Sequence, residues 1–382
     1  MSATRSIEQI KWISYSAPIF YLYFLIEGRK ELKNKELQIS LFLVVAFGFW
    51  ALCTSLWSTY PSYSFLRSIV FIVSSVSLIV GGFSWAKYFK GNEFGFLTPL
   101  NIILLIISLF SLMTKIPNDY WAGYGYGLKS FWGHQNTLAS IVIFSIPGIF
   151  IIPMRKKKYV NIISILLLIT NLYILLQTHS RTSLVVFIIS GLLLLVLLKR
   201  YKILVSFILI FATISVLYLV NTNIQTRIKN YLFKTEVSLL DRKKPIISAS
   251  YYAAGIGGWK GLGFGVSDNT VLENLQINLT YHFEGVRLVR EKGVSVYALI
   301  EETGWVGLFL FVIFLGYLYY MSILNYSNNI NWSSALMICI LIGMTLHAQL
   351  EGWWLGVGSV QFPLFMGIAG VIIGKIRKPV QS

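Results

Sequence analysis

Residues 177–182 read Gln177-Thr178-His179-Ser180-Arg181-Thr182, a polar step between two long apolar runs at 159–177 and 183–198. Each run is close to the ~20 residues that a helix needs to cross a bilayer. The step therefore reads as the hairpin between two spanning helices, and the fold as a transmembrane bundle. Its arginine is always charged and is costly at the mouth of such a bundle unless an anion meets it. Guanidinium pairs with phosphate through parallel hydrogen bonds, so the natural partner is a phosphate or pyrophosphate delivered on a lipid. The bland reading of Arg181 is a cation snorkelling from a helix end to the interface. His179 beside it reads equally as a base or as an interfacial aromatic.

The rest of the chain agrees with a membrane setting. Hydrophobic residues make up 56% of the sequence and charged residues 12%, with a mean hydropathy of +0.69. That balance excludes a water-soluble core. A formal net charge of +17 would suggest nucleic acid in a soluble protein. Here much of it falls in short turns between apolar segments, which is topology rather than a nucleic-acid face. Cys53 and Cys339 both lie in apolar segments, so neither a disulfide framework nor a CxxC metal site is expected. The first apolar run lacks the flanks of a cleaved signal peptide and is expected to be a retained helix.

Apolar segments fall at about 12–26, 38–56, 68–86, 97–113, 136–153, 159–177, 183–198, 203–220, 294–321, 333–350 and 357–374. The expected fold is an all-α polytopic transmembrane helix bundle of eleven or twelve helices with one large extracytoplasmic loop. Its parts are an N-terminal membrane bundle over 1–220, a loop or lid over 221–292 and C-terminal membrane helices over 293–382. The segment at 294–321 is long enough to begin as a helix outside the bilayer. With the N-terminus outside, the inner turns collect Arg29, Lys30, Lys33, Lys35, the run Arg155 to Lys158, and Lys199 to Lys202. The short outer turns hold far fewer cations, which satisfies the positive-inside rule. The Trp57–Pro61 turn, the 119–136 loop, the Arg181 step and the long loop then share the outer face.

Several outer segments carry candidate chemistry. An aromatic, glycine-rich stretch runs from Tyr120 through Tyr126 and Gly127 to Trp132-Gly133-His134-Gln135-Asn136. Such rings anchor a protein at the membrane interface and equally stack on sugar faces. Asn136 is placed to cap the helix that follows. Trp259-Lys260-Gly261-Leu262-Gly263-Phe264-Gly265 lacks the ending of a nucleotide-binding P-loop and reads as a glycine-supported turn that lets backbone approach a ligand. The charged stretch from His282 to Lys292 includes Arg287, Arg290 and Glu291, which share one face if helical. It is either a solvated amphipathic segment or a second cationic site for a pyrophosphate. Glu301 and Glu302 are expensive near membrane depth, so at least one is expected to pair with an arginine or a substrate hydroxyl. No metal-ligand spacing stands out, and metal-free, cofactor-free chemistry is expected.

These residues resemble the O-antigen ligase/polymerase family of bacterial envelope proteins. The resemblance rests on Trp57-Ser58-Thr59-Tyr60-Pro61, Gly133-His134-Gln135-Asn136 before a helix ending at Pro147, and Ser180-Arg181 opening a leucine-rich helix. Gly261-Leu262-Gly263-Phe264-Gly265 and Glu302-Thr303-Gly304-Trp305-Val306-Gly307-Leu308 complete it. It implies a multi-pass protein of the bacterial inner membrane, acting on the periplasmic face. The implied donor is an undecaprenyl-pyrophosphate-linked glycan and the acceptor a sugar hydroxyl, joined without metal, with the lipid bilayer and envelope polysaccharide-assembly proteins as partners and no nucleic acid. The family's ligases carry a His-Asn pair upstream of the glycine matched by Gly304, where this chain has Gly293-Val294. That departure favours repeat-unit polymerisation over ligation to lipid A core, with a lipid-linked glycan transporter as the rival class. In the expected mechanism Arg181 with Arg287 or Arg290 holds the pyrophosphate, and Glu291 or His282 accepts the proton. His179, His134, Trp132, Tyr126, Trp259 and Glu302 are expected to contact the substrate.

Overall fold

The computed structural model describes residues 21–90, 92–114, 127–128, 135–150, 158–206, 209, 213, 222, 239–267 and 292–375. Every regular element among them is helical. In chain order the α-helices are α1 (Lys35–Cys53), α2 (Pro61–Tyr88), α3 (Leu97–Thr114), α4 (Gln135–Ser145), α5 (Pro147–Phe150) and α6 (Lys158–Gln177). They continue as α7 (Arg181–Leu197), α8 (Leu239–Gly257), α9 (Ser295–Asn328), α10 (Trp332–Glu351) and α11 (Gln361–Gly374). Four segments, Lys35–Leu56, Pro61–Tyr88, Ser295–Asn328 and Trp332–Glu351, are long and apolar enough to cross a membrane. With the shorter apolar helices beside them, they make this a multi-pass membrane protein.

Most expected segments coincide with helices to within a few residues. The segment at 136–153 divides at Ile146, because Pro147 has no N–H to continue the ladder. Its helix begins at Gln135, so Asn136 lies inside it and does not cap it. α2 begins at Pro61, seven residues ahead of the expected 68, since proline suits the first turn of a helix. The segments at 12–26 and 203–220 fall only partly within the described residues.

The chain groups into two compact units. The first comprises residues 1–93, 243–325 and 348–382. Its core is aromatic: Phe47 lies 5.2 Å from Phe71 and 5.5 Å from Phe311, and Phe71 lies 5.6 Å from Phe264, all edge-on. α2 and α11 touch through backbone. A Cβ on Gly370 would stand 2.1 Å from the Ile79 carbonyl oxygen, and one on Gly82 the same distance from that of Gly367. Small residues allow this approach, which compensates for the weak hydrophobic drive between helices in lipid.

The second unit comprises residues 94–242 and 326–347. Inside it a reciprocal amide pair joins α3 to α6. Asn101 Nδ2 donates to Asn171 Oδ1 at 2.8 Å and Asn171 Nδ2 returns a bond to Asn101 Oδ1 at 3.0 Å. Asn101 also donates to Ser145 Oγ on α4 at 2.7 Å. Replacing Asn171 with leucine strands a buried amide, and a loss of roughly 1–3 kcal/mol is expected. Thermal unfolding in detergent should show this, with the Asn101→Leu/Asn171→Leu double variant recovering part of it. Equal melting of the single variant and the parent would contradict the account.

Candidate functional site

In the first unit the feature that organises everything else is the break in α9. Gly304 has φ 71 and ψ −176, which divides the helix into a short piece, 295–303, and a longer one, 305–328. The longer piece is about 36 Å at the helical rise, enough to cross a bilayer core.

A helix break frees backbone groups that must find partners. The 258–265 turn supplies them. Leu262 N donates to Glu301 O at 2.8 Å and Gly263 N to Glu302 O at 3.1 Å. In return Trp305 N donates to Gly258 O at 3.1 Å and Val306 N to Trp259 O at 3.4 Å. Trp50 Nε1 completes the set at Thr303 O, 2.7 Å away. The fit needs glycine: Gly261 has φ 79, and a Cβ there would sit 2.5 Å from Glu302 O. A Cβ on Gly304 would stand 2.2 Å from Trp259 O.

The same turn wraps a carboxylate. Gly265 N donates to Glu302 Oε2 at 2.6 Å, and Lys292 Nζ contacts Glu302 Oε1. Lys292 Nζ also lies 3.4 Å from Glu301 Oε2. All three side chains are buried, with Lys292 8%, Glu301 0% and Glu302 2% exposed. The glycine turn was read as a place where backbone approaches a ligand. The group it approaches is the chain's own Glu302, and the cation in contact with that carboxylate is a lysine where an arginine or a substrate hydroxyl was expected. The clasp therefore draws the turn and Lys292 onto one side chain.

Trp259, expected at the substrate, is 65% exposed while its carbonyl serves the helix break. Trp57 Nε1 donates to Gly261 O at 3.0 Å, and Lys260 Nζ lies 5.9 Å from the Trp57 ring centre. Arg67 stands beside this turn and was not singled out by sequence. Its guanidinium donates to Tyr63 Oη and Leu355 O, both at 2.9 Å, and lies 5.5 Å from the Phe264 ring centre. The signal available was an arginine four residues after a tyrosine near the start of a span.

In the second unit the quoted polar step is a helix-to-helix turn. α6 ends with Thr178 N bonded to Ile174 O and His179 N to Leu176 O. His179 adopts φ 51, the left-handed conformation that commonly terminates helices and that glycine adopts at no steric cost. The His179→Gly variant is accordingly expected to melt no lower than the parent, by about 0–1 kcal/mol of added stability. A clear drop in melting temperature would mean that the imidazole's own contacts hold the turn.

Ser180 precedes α7, with its N–H donating to Thr178 Oγ1 at 3.2 Å. Its hydroxyl donates to Ser183 Oγ at 3.1 Å, and Ser183 Oγ lies 3.1 Å from His347 Nε2 on α10. Thr178, Ser180, Ser183 and His347 are all buried. His347, an intramembrane histidine, is thus tied to the step, and only its position inside an apolar helix could have marked it. Arg181 is the first residue of α7 and half-buried. A helix start carries partial positive charge from its unpaired N–H groups, so the arginine and the helix favour an anion together. The end of the aromatic loop is fixed to the same turn. Leu128 N donates to Gln177 O at 2.8 Å, and a Cβ on Gly127 would stand 2.2 Å from Gln135 Oε1 and 2.4 Å from Thr178 O.

Tyr126, Trp132, His134, His282, Arg287, Arg290 and Glu291 lie outside the described residues. Among the described residues no three His, Cys, Asp or Glu side chains gather as a metal site. The chain matches no protein-family model and no curated protein sequence.

Proposed function

We propose that this protein transfers glycans at the outer face of a bacterial cytoplasmic membrane, polymerising repeat units carried on undecaprenyl pyrophosphate. The observation that carries the reading is Arg181 on the first turn of α7, where guanidinium and helix start favour an anion beside a buried hydroxyl chain. The segments that carry the family resemblance also support it, because residues far apart in sequence meet. Trp57 reaches Gly261, and Glu302 reaches Gly265.

In the proposed reaction an acceptor hydroxyl attacks the anomeric carbon, the bond from that carbon to pyrophosphate breaks, and undecaprenyl pyrophosphate leaves. Arg181, with Arg287 or Arg290, stabilises the charge that develops on the leaving group. Glu291 or His282 takes the hydroxyl proton. Glu302 is better suited to holding the glycine turn than to touching substrate, given its partners.

One observation favours a second reading, transport of the same lipid-linked glycan. Interrupted helices commonly line transporter sites, where freed backbone groups bind cargo. In α9, however, the 258–265 turn takes up the carbonyls of Glu301 and Glu302 and the N–H groups of Trp305 and Val306. The test is to incubate the purified protein with the host's undecaprenyl-pyrophosphate-linked repeat unit and resolve the products on a gel. A ladder of lengthened lipid-linked glycans is expected. Unchanged substrate overturns polymerisation and directs attention to a separate acceptor or to transport.

A further inference from the structure

The second unit contains an apolar cavity of about 140 Å³ between α4, α5, α6, α7 and α10. From α7 it is lined by Val186, Phe187, Ser190, Gly191 and Leu194, which share one helical face. From α10 it is lined by Leu336, Cys339, Ile340 and Gly343 at the same kind of spacing. One turn beyond Val186 and Gly343, the same two faces carry Ser183 and His347, which are bonded to each other. The slot is thus apolar along its length and polar at the end toward Arg181. Arg181 begins the helix that forms one wall, about 7 Å along the axis from Val186.

We propose that this slot holds one segment of the carrier's polyisoprenoid chain, an assignment that rests on the glycan-transfer reading. The size fits a single chain: an apolar cavity of about 150 Å³ holds one benzene, close in bulk to a five-carbon isoprene unit. The wall is shaped for an occupant. Gly191 interrupts a leucine-rich run, a Cβ there would meet no heavy atom within 4 Å, and glycine inside a helix destabilises relative to alanine. The helix that offers the headgroup a guanidinium thus offers the chain a groove further along. One lipid can lie along α7 with its phosphate at Arg181 and its chain past Ser190 and Gly191. The Ser183–His347 pair marks the boundary between the two.

The test uses the full-length protein in nanodiscs with a diazirine-bearing farnesyl phosphate, photolysis and peptide mass spectrometry. Label is expected on the α7 and α10 segments around Phe187 and Cys339, with excess undecaprenyl pyrophosphate displacing most of it. Gly191→Leu, whose Cβ meets no heavy atom within 4 Å and whose side chain occupies the slot, is expected to lower the labelling about tenfold while the protein melts no lower. Label spread evenly onto outward-facing Val185 and Ile189, labelling indifferent to Gly191→Leu, or equal displacement by phosphatidylglycerol overturns the assignment. The glycan gel run on the same preparations separates the two ideas. A ladder with labelling that ignores Gly191→Leu removes the chain site alone. Slot labelling that undecaprenyl pyrophosphate displaces, without a ladder, removes polymerisation and leaves a polyisoprenoid site.

Discussion

Replacing Glu302 with leucine is expected to cost about 3–5 kcal/mol, because it breaks a buried ion pair and leaves Lys292 inside the protein. Lys292 would retain Glu301, 3.4 Å away and itself buried, and the Val266 carbonyl at 3.5 Å. Gly265 N would lose its acceptor, a further penalty for an unpaired buried donor. Glu302→Gln keeps an acceptor for Gly265 and should fall between the two. In the Lys292→Met/Glu302→Leu double variant the lysine charge is gone while Glu301 loses its ion partner, so part of the loss should return. Thermal unfolding in detergent measures all four proteins. Should Glu302→Leu melt with the parent, the clasp has no energetic role. Should the double variant melt as low as Glu302→Leu, the penalty lies in the glycine turn and not in Lys292.

Replacing Arg181 with alanine is expected to lower polymer formation at least a hundredfold with protein level and melting temperature unchanged. Loss of one charge-stabilising donor at a reacting centre typically costs about 10²–10³ in rate. The fold should tolerate it, since Arg181 sits at the first position of α7 and alanine is a good helix former there. Arg181→Lys keeps a charge without the paired donors and should retain an intermediate rate. The readout is the ladder from defined lipid-linked substrate. Full-length polymer from Arg181→Ala would sink the assignment of this residue to the pyrophosphate. The same loss together with a lowered melting temperature would make Arg181 a structural residue.

Some of the site was legible before any coordinates. Ser180-Arg181 does open a helix, and the step before it is the turn between two apolar helices, because apolar runs and an interrupting polar group are local properties. The 261–265 glycines do form a tight turn. Other features were not legible. Glu302 was assigned to substrate, yet its carboxylate meets Lys292 and Gly265, partners 10 and 37 residues away. His347 was not singled out, and its bond to Ser183 spans 164 residues. Arg67 was not singled out, with nothing in its sequence surroundings to suggest Leu355 O as an acceptor.

The sequence by itself determined that this is an all-helical, multi-pass membrane protein, and where most of its helices begin and end. Those properties follow from the hydrocarbon thickness of a bilayer and from the need of each spanning backbone to satisfy its own hydrogen bonds. Tertiary structure alone decided which polar groups became partners. In an apolar interior a buried charge or a freed backbone group must find a complement at hydrogen-bond distance. Chain order does not say which one will be there. For that reason the glycine turn closes on Glu302, the break in α9 is met by residues 258–263, and the Arg181 turn rests on Ser183 and His347.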